Sequence, residues 1–259
     1  MKCNNPYEFM SGEGHYHLIP CGRCHACRVN KRIEWTDRII HEIGKGDGTF
    51  LTLTYDDEHL PIDKSVNKDD LQKFFKRIRK HLNNERKIKY YAVGEYGGKF
   101  GRCHYHAIVT NTHFRQDLEL FQKCWTKGFI TSLPAVPADI RYTLKYMEKE
   151  QHQKDKIYFV DGMEVAPPFS IMSKGLGLDW ILVNREQIIA LDGYPRNGHI
   201  QSLPRYYRNK LGLSSANTQI DKKVLDYMKE HDLSYFQAIQ RLGKQAELDA
   251  LKKEFYQKK

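Results

Sequence analysis

The sequence contains no apolar run approaching the roughly 18 residues needed to cross a bilayer, so no membrane partner is expected. Its opening stretch, "MKCNNPYEFMSGEG", lacks the hydrophobic core of a secretion signal. Both absences lead to the expectation of an intracellular protein, whose cysteines serve as thiols or metal ligands more often than as disulfides. No GxxxxGK[ST] phosphate loop occurs, which argues against a built-in nucleotide-driven helicase. No repeat of solenoid length is visible. Acidic residues are also in deficit: 42 Lys and Arg against 32 Asp and Glu leave a formal charge of +10 over 259 residues. Spread along the chain, that charge suits a polyanion such as nucleic acid, and equally a plain basic surface.

What is present reads as alternating strands and helices. The first 20 residues, rich in Asn, Gly and Pro, predict irregular structure, and a helix is expected over 26–43. "TFLTLTYD" (49–56) carries β-branched or large residues on both faces and predicts a central strand. "NKDDLQKFFKRIRKHLNN" predicts an amphipathic helix capped by Asn67 or Asp69, with Leu71, Phe74, Ile78 and Leu82 in one stripe. Strands over 88–95 and 102–110 then form a hairpin around "YGGKFG". A helix at "FRQDLELFQKCW", a strand at "GFITSLPAV" and a helix opened by Pro137 follow. This order predicts an α+β fold: a central antiparallel sheet of split β-α-β, ferredoxin-like topology flanked by helices. Three segments are expected: an irregular Cys-rich stretch over 1–30, the sheet domain over 31–212 and a helical C-terminal extension over 213–259.

"HYH" occurs twice, at 15–17 and at 104–106. The second copy lies on a predicted strand, where residues two apart share a face, so His104 and His106 point the same way. With the hairpin symmetric about Gly98–Lys99, Glu95 falls opposite Arg102 and on that same face. Two imidazoles and a carboxylate would hold a divalent metal and leave positions for water and substrate oxygens. The plainer reading of His-x-His is surface or satisfied core. The first copy lies in a Gly-flanked segment and at most assists a cysteine site.

Downstream, "RYTLKYMEK" places Tyr142, Tyr146 and Lys149 within roughly 60° on a helix, opposite Ile140, Leu144 and Met147. A phenol, with a pKa of about 10, is a poor nucleophile near neutrality but suits a phosphodiester bond that must later be reversed. A lysine beside it favours the phenolate or steadies a phosphate. Cys21, Cys24 and Cys27 follow C-x2-C-x2-C spacing, with Cys3 upstream and His15, His17 and His25 nearby. They suggest a structural zinc completed by Cys3 or a histidine; free thiols at a helix start are the alternative. Cys103 and Cys124 read as ordinary buried cysteines.

Taken in order, the strand, the His-x-His strand and the Tyr-x-x-x-Tyr-x-x-Lys helix resemble the three motifs of HUH rolling-circle replication initiators. The pattern is most similar to the initiators of microviruses, the gokushovirus branch of single-stranded DNA phages above all. The residues carrying the resemblance are "PCGRCHAC" (20–27), "FLTLTYDDEHLP" (50–61), "GEYGGKFGRCHYHAI" (94–108), "YTLKYMEK" (142–149) and "LPRYYRNKL" (203–211). The resemblance implies a nickase that joins itself to the DNA 5′ end through Tyr142 or Tyr146, leaves a 3′-hydroxyl primer and later religates the strand. It implies magnesium or manganese on His104, His106 and Glu95, with Lys149 as an accessory. It also implies single-stranded origin DNA, a host helicase and a host polymerase as partners, in a bacterial cytoplasm. A non-catalytic, zinc-dependent DNA-binding protein is the rival reading, and a plasmid initiator, relaxase or transposase would share the chemistry.

Overall fold

The computed structural model describes residues 3–10, 12, 16–44, 46–83, 85–98, 101–151, 157–196, 198–213, 222–233, 237–238 and 240–242. At residues 16, 146–151 and 222–223 the description is of the backbone. The chain divides into two compact units, one of residues 32–213 and one of residues 1–31 with 214–259. Among the described residues, no helix is long and apolar enough to cross a membrane.

The elements run β1 (Tyr7–Met10), β2 (Tyr16–Ile19), α1 (His25–Ile43), β3 (Gly48–Tyr55), α2 (Lys68–Leu82), β4 (Tyr90–Tyr96), β5 (Cys103–Thr110), α3 (Leu118–Cys124), β6 (Gly128–Pro134) and α4 (Pro137–Gln151). They continue through β7 (Tyr158–Val160), β8 (Met163–Val165), β9 (Phe169–Met172), α5 (Leu178–Val183), α6 (Arg185–Leu191), β10 (Gly193–Arg196), β11 (His199–Ser202), α7 (Arg205–Leu211) and α8 (Lys222–Glu230).

In the unit of residues 32–213, five strands form one antiparallel sheet in the order β6-β3-β5-β4-β9. Strand β3 is central because both of its faces are covered. Leu51, Leu53 and Tyr55 point to α2 and α3, where Leu71, Phe74, Phe75, Ile78 and Phe121 complete one core. Phe50 points the other way, with Tyr91, Val93 and Ile108, onto Ile39 of α1 and Ile140 and Leu144 of α4. Each fully buried aromatic or aliphatic side chain stabilises by about 2–3 kcal/mol, so the two layers together hold the sheet.

Helix α2 starts where the side chain of Asn67 accepts hydrogen bonds from the N–H groups of Asp69 and Asp70, at 2.9 and 3.3 Å. Asn67, not Asp69, is the cap. The helix facing α2 is shorter than expected: α3 begins at Leu118, because the Asp117 carboxylate holds the preceding turn through the His113 N–H at 2.7 Å. Cys103 and Cys124 are fully buried in the core. Strand β9, which follows the Pro167–Pro168 pair, was not expected; it pairs with β4 through Tyr91↔Met172 to Gly94↔Phe169.

The remainder of this unit packs around α1. Ile181, Ile188, Tyr194, Leu203, Tyr207 and Leu211 form a third cluster. Asp37 accepts hydrogen bonds from the Tyr194 hydroxyl (2.6 Å) and Arg196 Nε (2.9 Å), and Arg38 lies between the rings of Trp35 and Tyr206. His41 stacks on Trp180 with ring centroids 3.6 Å apart.

The other unit corrects the expectation of an irregular amino terminus. Strands β1 and β2 form an antiparallel pair, Tyr7↔Ile19 through Met10↔Tyr16, so His17 lies on a strand opposite Phe9. Short strands rich in polar residues give too weak an alternation to be read from sequence. Leu18 packs with Val224, Tyr227, Met228 and Leu233, and Glu8 pairs with Lys229 at 3.0 Å. His15 and much of the expected C-terminal helix lie outside the described residues.

Candidate metal centre and tyrosine

The alternation of β5 divides "HYH" between two environments. Tyr105 turns into the α2 core, where its hydroxyl meets the Tyr55 hydroxyl at 2.7 Å and the Asn67 backbone N–H and C=O at 2.8 and 3.0 Å. His104 and His106 therefore project from the opposite face. The hairpin register differs from the expected one: Glu95 pairs with His104, not Arg102, and Tyr96 pairs with Cys103. The connection spans residues 97–102, with Gly101 at φ +60° and its N–H bonded to the Gly97 carbonyl. Because the shift is two residues, Glu95 stays on the histidine face.

The three side chains converge on one point. Glu95 Oε1 lies 3.1 Å from His104 Nε2 and 3.1 Å from His106 Nε2. The other ring nitrogens are turned outward: His104 Nδ1 is 3.1 Å from the Arg102 carbonyl oxygen and His106 Nδ1 is 3.1 Å from Thr52 Oγ1. An Nδ1–H donating to those oxygens leaves each Nε2 lone pair facing the carboxylate, the tautomer a metal requires. Donors about 2.1 Å from an octahedral ion stand about 3.0 Å apart in neighbouring positions, so the 3.1 Å separations fit one. Two nitrogens and one oxygen would then leave positions for further oxygen ligands.

Burial raises the Glu95 carboxyl, but its bonds to His104 and His106 outweigh that and hold it below its usual value. Burial would lower His104; Glu95 and the Arg102 carbonyl outweigh it and raise the imidazole above its usual value. Phe50 stacks against His106 at 5.4 Å, closing one side of the centre with an apolar ring. His104 is the more open of the two imidazoles.

Tyr142 reaches this centre from α4. Its ring stands edge-on to His106, centroids 5.7 Å apart, and the residue remains 44% exposed. The expectation that Ile140 and Leu144 dock the helix holds, since both are buried, but Tyr142 does not look away from the sheet. It leans over the edge of the docking stripe towards the histidines. Tyr146 and Lys149 lie on α4, and their side chains are outside the described residues. Lys145 has its Nζ 6.0 Å from the Tyr142 ring. Lys145 and Thr52 were missed from sequence; an i,i+3 spacing from Tyr142 signalled the first, and nothing local signalled the second.

The second candidate group also forms. Cys3, Cys21, Cys24 and Cys27 bring their sulfurs within 4.8 Å of one another. Burial raises the Cys24 thiol, yet hydrogen bonds from the backbone at Asn4 and Cys27 outweigh it and bring it down to about 6. His25, although adjacent in sequence, does not belong to this group.

An antiparallel sheet flanked by helices, with a two-histidine, one-carboxylate centre under a tyrosine-bearing helix, defines a candidate metal-dependent protein of the α+β class. Residues 48–151, from the start of β3 to the end of α4, match a family model described as that of the replication-associated protein ORF2. The chain is 29% identical over 239 residues to the replication-associated protein ORF2 of Spiroplasma virus 4, covering 82% of this chain and 72% of that protein. It is 32% identical over 216 residues to the replication-associated protein VP4 of Bdellovibrio phage phiMH2K, covering 74% and 66%. Against the replication-associated protein ORF4 of Chlamydia phage 1 the identity is 25% over 251 residues, covering 86% and 58%. The chain thus spans less than two thirds of the length of the last two relatives. No solved structure matches it. The chain belongs with the replication-associated proteins of microviruses.

Proposed function

We propose that the chain initiates rolling-circle replication by nicking single-stranded DNA at an origin and joining itself to the new 5′ end through tyrosine. The observation that carries the reading is the approach of Tyr142 to His106 in a centre where Glu95, His104 and His106 already converge. The strand order β6-β3-β5-β4, in which α2 joins two strands that both run antiparallel to β5, supports the split β-α-β topology of HUH nucleases.

Glu95, His104 and His106 would hold magnesium or manganese, which when bound withdraws charge from the scissile phosphate and orients it. Thr52 and the Arg102 carbonyl keep both imidazoles in the binding tautomer. Tyr142 Oη attacks phosphorus, the P–O3′ bond breaks, and the leaving oxygen takes a proton to become the 3′-hydroxyl. The new tyrosyl phosphodiester conserves the energy of the broken bond, so the reverse attack by a 3′-hydroxyl rejoins the strand without nucleotide. Tyr146 serves as the second nucleophile when the regenerated origin is cut, and Lys149 or Lys145 steadies a phosphate. Single strands fit because a phosphate threaded past a helix is inaccessible inside a duplex. The 3′-hydroxyl primes a host polymerase, with a host helicase, in the bacterial cytoplasm. Residues 31–212 carry this chemistry, with 213–259 as an appended segment.

The test incubates the full chain and manganese with the single-stranded circular DNA of the phage that encodes it. A denaturing gel should show a nuclease-resistant protein–DNA adduct. Tyr142→Phe and Tyr146→Phe should each retain some adduct and the double variant none. Adduct in the double variant would overturn the assignment of nucleophiles. DNA binding without adduct at any divalent metal would favour the non-catalytic reading.

A further inference from the structure

We propose that Cys3, Cys21, Cys24 and Cys27 hold a structural zinc ion that fastens the β1–β2 hairpin to the first turn of α1. Nothing in this inference depends on the nuclease reading.

The four thiols come from two segments that have no other reason to meet at sulfur. Cys21 and Cys24 flank a tight turn in which Gly22 adopts φ +72°, a conformation that favours glycine. The Arg28 N–H bonds to the Cys24 carbonyl at 3.1 Å, so Cys24 opens α1 and Cys27 lies in its first turn. Cys3 joins from 18 residues upstream, across the whole hairpin. Its sulfur lies 3.4 Å from that of Cys21 and 3.8 Å from that of Cys24. Zinc–sulfur bonds of about 2.3 Å in a tetrahedron set sulfurs about 3.8 Å apart, which these separations approximate.

The surrounding backbone is arranged for thiolates. The Cys21 N–H donates to Cys3 Sγ and the Cys24 N–H donates to Cys21 Sγ, both at 3.3 Å. Sulfurs bound to metal keep lone pairs that such outer donors satisfy. All four ligand places are filled by protein, the closed arrangement of a structural rather than a catalytic zinc site. A hairpin of two four-residue strands is marginal alone, and a metal tying its entry and exit supplies what its small core lacks. The clamp holds out a face on which Tyr7, Phe9 and Ile19 are exposed.

The experiment measures metal in the full chain by elemental analysis after dialysis against a weak chelator. One equivalent of zinc is expected in the wild type and in His104→Ala, and none in Cys3→Ser or Cys24→Ser. Zinc retained by both cysteine variants but lost from His104→Ala would overturn the proposal. So would a metal-free wild type whose six thiols all react freely, or stoichiometric iron in place of zinc. Should the cysteine variants fail to fold, cobalt substitution of the wild type decides: a tetrahedral tetrathiolate spectrum is expected, and an octahedral one refutes. Hydrogen exchange adds the structural readout. Chelation should deprotect amides of β1 and β2 while β3 and β5 keep their protection; unchanged exchange in β1 and β2 would refute the clamp.

Discussion

Replacing His41 by Phe should flatten the acid sensitivity of the unit of residues 32–213. His41 is pressed flat on Trp180, meets the Tyr207 hydroxyl at Nδ1 (3.0 Å) and lies edge-on to Tyr194. Burial, with a smaller contribution from Arg196, drops its pKa from 6.5 to about 4. Between those values the unfolded chain binds a proton that the native chain refuses, so stability falls as pH drops from 6.5 towards 4. Each pH unit costs about 1.4 kcal/mol, or about 3 kcal/mol across the window, and nothing further is lost below it. Phenylalanine keeps the stacking and loses the bond to Tyr207, a pH-independent offset, while removing the titration. Urea denaturation followed by tryptophan fluorescence suits the test, since Trp35, Trp125 and Trp180 all belong to this unit. Other titrating groups contribute equally to both proteins and cancel in the difference. Wild type and His41→Phe losing stability in parallel between about pH 6.5 and 4.5 would refute the reasoning.

Four further outcomes follow from the same geometry. Thr52→Val removes the acceptor for His106 Nδ1 and should weaken manganese binding about 10–100-fold by calorimetry, with Thr52→Ser restoring it; an unchanged affinity in Thr52→Val refutes the role. Glu95→Gln should lower the His104 pKa in the metal-free protein, followed by NMR titration, because the carboxylate is what raises it against burial. Manganese affinity should rise with pH until His104 is neutral, at a pH above 6.5, falling about tenfold per unit below that point as one proton is displaced. A pH-independent affinity over that range would exclude His104 as a ligand. Gly128→Ala should cost roughly 2 kcal/mol or more in urea denaturation, since at φ +142° its Cβ would collide with the Asp56 nitrogen and the Thr54 carbonyl oxygen. Wild-type stability there would mean the β3–β6 edge yields more readily than its pairing suggests.

Much of the site was legible locally. The alternation of 103–110 put His104 and His106 on one face, and the 100° step of α4 separated Tyr142 from Ile140 and Leu144. The hairpin register was not legible, because three glycines in 97–102 admit more than one turn and each turn slides the strands. Glu95 kept its partners only because the slide was an even number of residues. Strand β9 was hidden by its length: "FSIM" has too few residues to show a period, and it forms by pairing with β4. The β1–β2 pair was hidden in the same way. Cys3 stood as one of several possible fourth ligands until the hairpin folded it back onto Cys21.

The sequence alone determined which chemical groups share a face of a strand or a helix, because side-chain direction within one element depends on its neighbours along the chain. It therefore determined the imidazole pair, the tyrosine face and the cysteine knuckle. Tertiary structure alone decided that Glu95 Oε1 sits 3.1 Å from both imidazoles, that Thr52 on a neighbouring strand sets the His106 tautomer, and that α4 lies with Tyr142 against His106. Those placements depend on strand register and on how helices pack across the sheet, which are settled by contacts between residues tens of positions apart.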